Sequence, residues 1–143
     1  MRDEGFGEYV GLKHQAFGRD RIGIDCWGLV RLVYRERLGV ELNSLDSGYA
    51  ALSDREAIED VYLEECAQWL EVTTPQALDV VIFRLRRRWS HVGLMVNPRD
   101  FLHSYHGKAL SGIESLTDKL WELKQTRFYR LPSRSSSCRS SSA

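Results

Sequence analysis

Apolar residues recur at helical spacing directly after Asp25. The apolar positions are Cys26, Leu29, Val30, Val33, Tyr34 and Leu38. They lie on one face of a helix. Asp25 suits the N-cap position, because its carboxylate can accept hydrogen bonds from the unpaired amides of the first turn. Gly39 suits the C-cap, so the pattern predicts a helix that begins at Cys26 and ends before Gly39.

A second helical pattern begins at Ser53. Ser53 and Glu56 have the spacing of a capping box, in which two side chains satisfy amides at the start of a helix. The apolar positions that follow are Ile58, Val61, Tyr62, Cys66, Trp69 and Leu70. They predict a helix to about residue 70. Cys66 lies on its apolar face, so we interpret Cys66 as a buried structural cysteine.

The rest of the chain is patterned mainly as strands. We expect strands at 77–85, 89–96, 101–106 and 126–131, a turn at 97–100 and a short helix at 115–123. Asp79, at a strand start, is expected to be structural. Since helices come first and an antiparallel sheet second, the pattern indicates an α+β fold.

Composition and charge indicate a single globular domain. The chain has 143 residues, of which 43% are apolar and 28% charged. We expect one domain at 1–131 and a Ser/Arg-rich tail at 132–143. The 20 basic and 20 acidic residues balance, so charge favours neither nucleic acid nor an anionic membrane, and we interpret the basic run at 84–88 as a solvated hairpin connection. We find no bilayer-spanning apolar run and no signal peptide, which predicts synthesis in the cytoplasm.

The three cysteines fit neither a disulfide framework nor a zinc site. Cys26, Cys66 and Cys138 are odd in number and widely spaced. Cys26 stands at the first helical position, where the helix dipole favours an anion and can lower a thiol pKa from about 8.5 into the range of roughly 3.5–7.5. Cys26 is therefore the candidate nucleophile, and Cys138 in the tail has no expected role. From this segment alone, a core cysteine that begins a helix is an equally good interpretation.

His91 is the candidate base for that thiol. A lone cysteine with histidines far along the chain is typical of cysteine hydrolases. The imidazole forms an ion pair with the thiol and later protonates the leaving amine. Gly93, two residues further on, leaves room for close packing or for a ligand.

A third group should orient the imidazole of His91, and two histidines qualify. A hairpin loop with an odd number of residues places His91 directly across from His103. A four-residue loop at 97–100 places it across from His106. Directly opposed Cβ atoms lie about 4.5–5.5 Å apart, which permits contact in either arrangement. The turn residues favour His106 slightly, and the pattern leaves the choice open.

Three blocks of sequence resemble the NlpC/P60 peptidases. Residues 25–30 read Asp-Cys-Trp-Gly-Leu-Val, residues 78–83 read Leu-Asp-Val-Val-Ile-Phe, and residues 91–94 read His-Val-Gly-Leu. In this order they are most similar to short phage and prophage tail-associated members, from about residue 9 to residue 131. The resemblance implies a papain-like fold, with the nucleophile helix packed on a small antiparallel sheet. It also implies Cys26, His91 and His103 as the catalytic residues, and so favours His103 over His106.

One segment before the nucleophile departs from the family pattern. The family has Gly-x-Pro-Tyr-x-x-Gly-Gly there, with the Tyr lining the active site, whereas residues 11–18 read Gly-Leu-Lys-His-Gln-Ala-Phe-Gly. His14 stands in place of the Tyr, and an imidazole can also donate to an oxyanion. We expect substrate or oxyanion contacts from His14 and Trp27, together with the backbone amide of Cys26. A surface position without a function is the alternative for His14.

The resemblance implies hydrolysis of an amide in peptidoglycan stem peptides, typically the bond from D-glutamate to a diamino acid. We expect an enzyme of a phage tail, made in the host cytoplasm, with tail tip or hub proteins as partners and neither nucleic acid nor membrane. A structural tail component with a vestigial site is the alternative, and an acyltransferase on the same scaffold ranks last because no acceptor site is evident. The chemistry implies no metal and no organic cofactor.

Overall fold

The computed structural model describes residues 5–15, 19–42, 69–85, 88–105 and 108–131. Within these ranges the helix α1 is Cys26–Val33, and the strands are β1 (Arg19–Asp20), β2 (Gly23–Ile24), β3 (Leu70–Val72), β4 (Val80–Leu85), β5 (Arg88–Met95), β6 (Asp100–His103), β7 (Gly112–Ser115) and β8 (Gln125–Arg130). Strands β1 and β2 form a small hairpin. The other six form one antiparallel sheet in the order β3-β8-β4-β5-β6-β7. The predicted α+β class is confirmed.

The predicted helix from Cys26 to Gly39 begins and ends as expected, but it consists of α1 followed by a π-helical turn. Asp25 is the N-cap residue, and its Oδ1 accepts a hydrogen bond of 2.7 Å from the amide of Gly28. After α1 the chain continues as a π-helical turn, Tyr34–Leu38, which Gly39 ends with a left-handed φ of 67°. Because Asp25 caps the helix, Cys26 becomes its first residue, in the turn whose backbone N–H groups point out of the helix end. No helix in the described part of the chain is long and apolar enough to span a membrane.

The six-stranded sheet carries an apolar layer on each face. Helix α1 packs against the face formed by Val80, Ile82, Val92, Leu94 and Leu102. The opposite face carries Val81, Phe83, Met95, Phe101 and Trp121. Successive side chains of a strand point to opposite faces, which explains the division. Since His91 pairs with Phe83, and His103 follows Phe101 by two residues, both histidines extend the second layer.

Asp79 is structural, as expected. It is 2% exposed, and its carboxylate accepts hydrogen bonds of 2.9 and 2.8 Å from Arg130 and one of 2.8 Å from the amide of Gln76. The neighbouring Leu78 has a φ of 76°, in the left-handed region that a side chain disfavours. Its carbonyl accepts a bond of 2.6 Å from the hydroxyl of Tyr34. These contacts hold the start of β4 against β8 and the π-helical turn.

The segment predicted as a helix at 115–123 is not helical, so that prediction was wrong. Its first residue ends β7, and the rest forms successive turns. Its apolar residues suggested a helical face, yet Leu120 and Leu123 are 45% and 89% exposed. Trp121 alone is deeply buried, at 1%. Burial of one large ring therefore holds this segment, and no continuous apolar face exists for a helix to bury.

The four predicted strands are confirmed as β4, β5, β6 and β8, with ends that differ by up to three residues. Strands β3 and β7 were not predicted. The helix predicted from Ser53 lies outside the described residues except at its end, where Leu70 begins β3. The basic run falls at the β4–β5 connection, as expected, with residues 86–87 outside the described ranges. The tail at 132–143 also lies outside them.

Candidate active site

Cys26 is the first residue of α1, and it forms no disulfide bond with any residue that the structure describes. Its exposed fraction is 7%, the largest among the buried apolar residues of the described ranges. Trp27 and Leu29, beside it on the helix, are 2% and 1% exposed. Cys26 therefore lies at the boundary of the core, at the end of the helix where backbone dipoles stabilise an anion.

His91 and His103 form a buried hydrogen-bonded pair. Nε2 of His91 lies 2.8 Å from Nδ1 of His103. The rings meet edge to face, with centroids 5.0 Å apart. The two residues are 4% and 2% exposed. The pair therefore leaves Nδ1 of His91 as the ring nitrogen that does not face His103.

The pair is a diagonal contact between β5 and β6. Leu94 pairs with Leu102 in this ladder. One step further along, Gly93 lies across from His103, and His91 is two residues beyond that position. Diagonal neighbours are within reach of aromatic side chains. Both registers considered from the sequence are therefore wrong, although the structure does bring His91 and His103 together.

Glu114 and Trp121 extend this hydrogen-bond chain beyond His103. Oε2 of Glu114 lies 2.7 Å from Nε2 of His103, and Trp121 donates from Nε1 to Oε1 of Glu114 at 2.9 Å. Burial lowers the pKa of His103, and Glu114 partly offsets this effect. The hydrogen bond from His103, together with that from Trp121, outweighs burial and lowers the pKa of Glu114. At neutral pH this hydrogen-bond chain therefore joins a neutral His103 to an ionised Glu114.

Glu114 and Trp121 were not predicted from the sequence. Glu114 directly precedes the segment that was taken for a helix, and Trp121 lies within that segment. The sequence signal for β7 was weak, because residues 112–115 read Gly-Ile-Glu-Ser and contain a single apolar residue. Once β7 pairs with β6, Glu114 lies beside Phe101 in the ladder and reaches His103 diagonally.

Aromatic rings enclose His91 on several sides. Phe83 and Trp121 stack on it with centroid distances of 5.7 and 5.9 Å. Tyr105 packs against it at 5.0 Å. These contacts restrict rotation of the imidazole and shield the faces of the ring from water. Packing and the bond to His103 together define the orientation of the ring.

Ser104 joins the segment before Cys26 to the end of β6. Its Oγ donates to the carbonyl of Ile24 at 2.8 Å and lies 2.8 Å from Nδ1 of His14. A hydroxyl has one hydrogen, and here Ile24 receives it, so Nδ1 of His14 must be the donor in the second bond. In the neutral ring Nε2 is then an acceptor. His14 could donate to an oxyanion only through a protonated Nε2.

The remaining predicted residues are placed as follows. The side chain of Trp27 belongs to the core cluster around α1, and its part in substrate binding stays a prediction. Cys66, His106 and Cys138 lie outside the described residues. Within the described ranges no group of three or more His, Cys, Asp or Glu residues is arranged to hold a metal ion.

Two solved structures share this fold. The NlpC/P60 domain of the peptidoglycan hydrolase SagA matches with a TM-score of 0.56 and 18% identity, over 87% of this chain and 91% of that one. An NlpC/P60 family protein from Bacillus cereus matches with a TM-score of 0.59 and 19% identity, over 85% of this chain and 36% of that one. The predicted NlpC/P60 fold is confirmed.

Curated relatives match by sequence. The murein DD-endopeptidase MepS/murein LD-carboxypeptidase of Escherichia coli K12 is 25% identical over 91% of this chain and 61% of its own length. A probable endopeptidase NlpC homolog of Haemophilus influenzae is 26% identical over 88% and 59%. The tail tip assembly protein K of Escherichia phage N15 is 29% identical over 58% and 35%. The chain thus spans about three fifths of the two endopeptidase relatives. The family model described as the NlpC/P60 family matches residues 11–130, and the chain therefore belongs to the NlpC/P60 family.

Proposed function

We propose that this chain is a cysteine hydrolase that cleaves an amide bond in the stem peptides of peptidoglycan. Cys26 is the nucleophile, His91 carries the proton and His103 orients His91. The observation that carries the proposal is the 2.8 Å contact between His91 and His103. It occupies Nε2 of His91 and directs Nδ1 toward the role of base.

Two features support placing Cys26 in the same site as the histidines. Helix α1 packs on β5 and β6, the strands that carry His91 and His103. The bond from Ser104 to Ile24 joins the residue after His103 to the residue two before Cys26. The proposal requires the Cys26 side chain, at the start of α1, to reach past the sheet to His91, whose ring packs with Phe83 and Trp121 in the layer on the opposite face.

Acylation begins from the ion pair of the Cys26 thiolate and the His91 imidazolium. Sγ attacks the amide carbon, and the carbonyl oxygen becomes an oxyanion. As the oxyanion collapses, the C–N bond breaks and Nδ1 of His91 gives its proton to the departing amine. The products of this step are a free amine, a thioester on Cys26 and a neutral His91.

Deacylation restores the ion pair. A water molecule gives one proton to Nδ1 of His91 and attacks the thioester carbon with its oxygen. The C–S bond then breaks, which releases a carboxylic acid and regenerates the Cys26 thiolate beside an imidazolium. His103 stays bonded to Nε2 in both steps, so His91 changes protonation at Nδ1 alone.

The oxyanion is stabilised by the backbone amide of Cys26. Cys26 is the first helical residue, where backbone N–H groups point out of the helix end and the helix dipole favours an anion. His14 is the second donor in this proposal. Its Nδ1 is bonded to Ser104, so it acts through Nε2 when the ring is protonated.

The substrate class follows from the relatives together with the family resemblance. MepS is named for murein DD-endopeptidase and LD-carboxypeptidase activities, and the Haemophilus relative is named a probable endopeptidase. The bond from D-glutamate to a diamino acid is the one that the resemblance favours. We propose that the protein acts at a phage tail, with tail tip or hub proteins as partners, since the N15 relative is named a tail tip assembly protein.

The test is release of stem peptides from purified peptidoglycan. The wild-type protein is expected to produce new amines and shorter peptides, identified by mass spectrometry. Cys26→Ala is expected to abolish release, whereas Cys138→Ala, which removes a thiol of no expected role, retains it. Equal release by wild type and Cys26→Ala, or none by either, overturns the proposal.

A structural tail component with a vestigial site is the second candidate, and the N15 relative favours it. The rate of Cys26 alkylation against pH separates the two. An enzyme forms the thiolate well below the ordinary thiol pKa of about 8.5, and His91→Ala moves the profile upward. A thiol that reacts only near the ordinary value, unchanged by His91→Ala, supports the structural component.

A further inference from the structure

We propose that Glu114, held by Trp121, is a positioning residue that selects the tautomer of His91 through His103. The inference rests on the proposed function, since it concerns the ring that serves Cys26. It gives a role to Glu114 and Trp121, which lie outside the proposed catalytic set of Cys26, His91 and His103. Three hydrogen bonds join four side chains in the order Trp121, Glu114, His103 and His91, with lengths of 2.9, 2.7 and 2.8 Å.

The direction of each hydrogen bond follows from the end of the chain. The indole of Trp121 can only donate, so Oε1 of Glu114 accepts. An ionised carboxylate accepts at both oxygens, so Nε2 of His103 carries a hydrogen and donates to Oε2. A neutral His103 then has a bare Nδ1, which must accept from Nε2–H of His91. Nδ1 of a neutral His91 is therefore unprotonated.

This direction is the one that catalysis requires. A neutral His91 with a bare Nδ1 can take a proton from a thiol or a water molecule. When it does so, the imidazolium keeps its Nε2–H bond to His103, and nothing in the chain has to turn. If the hydrogen bonds ran the other way, Nδ1 of His103 would carry the hydrogen and donate it to Nε2 of His91. An imidazolium at His91 would then set two N–H groups against each other across 2.8 Å.

Because its members are buried, this hydrogen-bond chain cannot switch freely between the two possible donor directions. The side chain of His103 is 1% exposed and that of Glu114 is 17% exposed. Water therefore has little access to replace either partner. A hydrogen on the wrong ring nitrogen would stay buried without an acceptor. The ring of Trp121 also packs on His91 and His103, with centroids 5.9 and 5.2 Å away. The same residue thus fixes the carboxylate and confines both imidazoles.

Glu114→Gln tests the inference with almost no change of shape. Trp121 can only donate, so the amide oxygen is expected to face it and the NH₂ group to face His103. His103 must then accept at Nε2 and donate from Nδ1, which forces the hydrogen of a neutral His91 onto Nδ1. We expect kcat to fall about 100-fold or more, as occurs when a catalytic imidazole is held in the wrong tautomer. The alkylation profile of Cys26 is expected to move to higher pH.

A second substitution should restore the direction. In Trp121→Phe/Glu114→Gln no indole claims the amide oxygen, so the amide can rotate and accept from His103. We expect this double variant to recover at least tenfold in kcat over Glu114→Gln, although Trp121→Phe alone lowers kcat. Additive losses in the double variant overturn the inference, because a merely structural role for Trp121 predicts them.

The resting protein gives a reading that does not depend on turnover. Nitrogen-15 NMR of the imidazole rings, recorded at a pH high enough to deprotonate the His91 imidazolium of the ion pair, is expected to show hydrogens on Nε2 of both His91 and His103 in the wild type, and on Nδ1 in Glu114→Gln. If the wild type shows Nδ1–H on a neutral His91, the inference is wrong even if the enzyme is active and even if the variant does not fold. If the predicted tautomers are present but peptidoglycan is not cleaved, the proposed function fails and the positioning stands. Unchanged kcat and alkylation profile in a folded Glu114→Gln variant also overturn the inference.

Discussion

The hydroxyl of Ser104 donates a 2.8 Å hydrogen bond to the carbonyl of Ile24 across 80 positions of sequence. Ser104 itself is fully buried. Ser104 directly follows His103, and Ile24 directly precedes Asp25, the N-cap residue of α1. The bond therefore links the proposed nucleophile segment to the strand of the proposed histidines, through two residues that are not themselves proposed as catalytic.

Ser104→Ala should weaken both stability and catalysis. It leaves the Ile24 carbonyl and Nδ1 of His14 without this partner, which costs about 1–3 kcal/mol of unfolding free energy. Urea unfolding measures that loss, and kcat is expected to fall about tenfold as the two segments lose their relative position. Ser115→Ala removes a half-buried hydroxyl that bonds only locally, to the hydroxyl and amide of Thr117, and as the control it should cost less than Ser104→Ala, under about 1 kcal/mol. Equal losses in both variants would contradict the linking role.

His14→Tyr should raise activity at alkaline pH. The neutral His14 ring uses its hydrogen on Ser104 and so offers an oxyanion no donor, whereas a Tyr hydroxyl donates throughout neutral pH. Since one oxyanion donor is worth roughly 100-fold or more in kcat, an increase of about tenfold in kcat/KM at pH 8 is expected. His14→Phe, of similar size but without a hydroxyl, is the comparison. If the Tyr and Phe variants have the same kcat/KM, position 14 does not contact the oxyanion.

Stability should decline as the pH falls below about 6.5. Burial lowers the pKa of His103 from its ordinary value of 6.5. Between the lowered value and 6.5, the unfolded chain binds a proton that the folded protein excludes, so unfolding becomes easier as protons are added. The slope for this one group is at most about 1.4 kcal/mol per pH unit.

Urea midpoints at several pH values from 7.5 to 5 would measure the decline. This range stays above the region in which Glu114, whose pKa is lowered from 4.5, loses its own contribution. His103→Gln removes the titrating group and should flatten the curve, and the exposed Glu122→Gln should leave it unchanged. A wild-type curve with the same slope as that of His103→Gln would assign the decline to other groups.

Local features of this chain could be read from its sequence with good accuracy. The start of α1 follows from Asp25 and the end of the π-helical turn after it from Gly39, because each cap depends on a few neighbouring residues. The catalytic candidates Cys26 and His91 also emerged from position and spacing. What could not be read was any relation that depends on loop geometry. A one-residue change in the 97–100 turn moves His91 relative to His103, and the turn residues do not specify it.

Glu114 shows a second limit of sequence reasoning. Its role depends on β7 pairing with β6 and on one buried indole from the following turns. The apolar residues at 115–123 favoured a helix, and a helix would have removed Glu114 from the sheet. Burial of Trp121 against the aromatic layer outweighs the weak helical pattern. Tertiary packing, which local sequence patterns do not reveal, therefore places Glu114 beside His103.

Gly93 and Gly112 lie on either side of His103 and make a matched pair for a final prediction. A Cβ on Gly93 would meet the carbonyl oxygen of Leu102 and Cδ2 of Phe101 at 3.2 Å and Cγ1 of Val81 at 3.3 Å. A Cβ on Gly112 would meet nothing within 4 Å. The backbone oxygen of Leu102 belongs to the sheet and cannot move away alone, so Gly93→Ala should cost about 1–3 kcal/mol of unfolding free energy.

Gly112→Ala should instead be neutral or stabilising by up to about 1 kcal/mol, because alanine loses less backbone entropy on folding. Urea unfolding of the two variants compares the same chemical change on neighbouring strands. Gly93→Ala should also lower kcat more than its stability loss explains, since relief of the contact shifts β5 against β6 and with it His91 against His103. If both variants are equally stable and equally active, then the close approach at Gly93 does not define the diagonal geometry of the histidine pair.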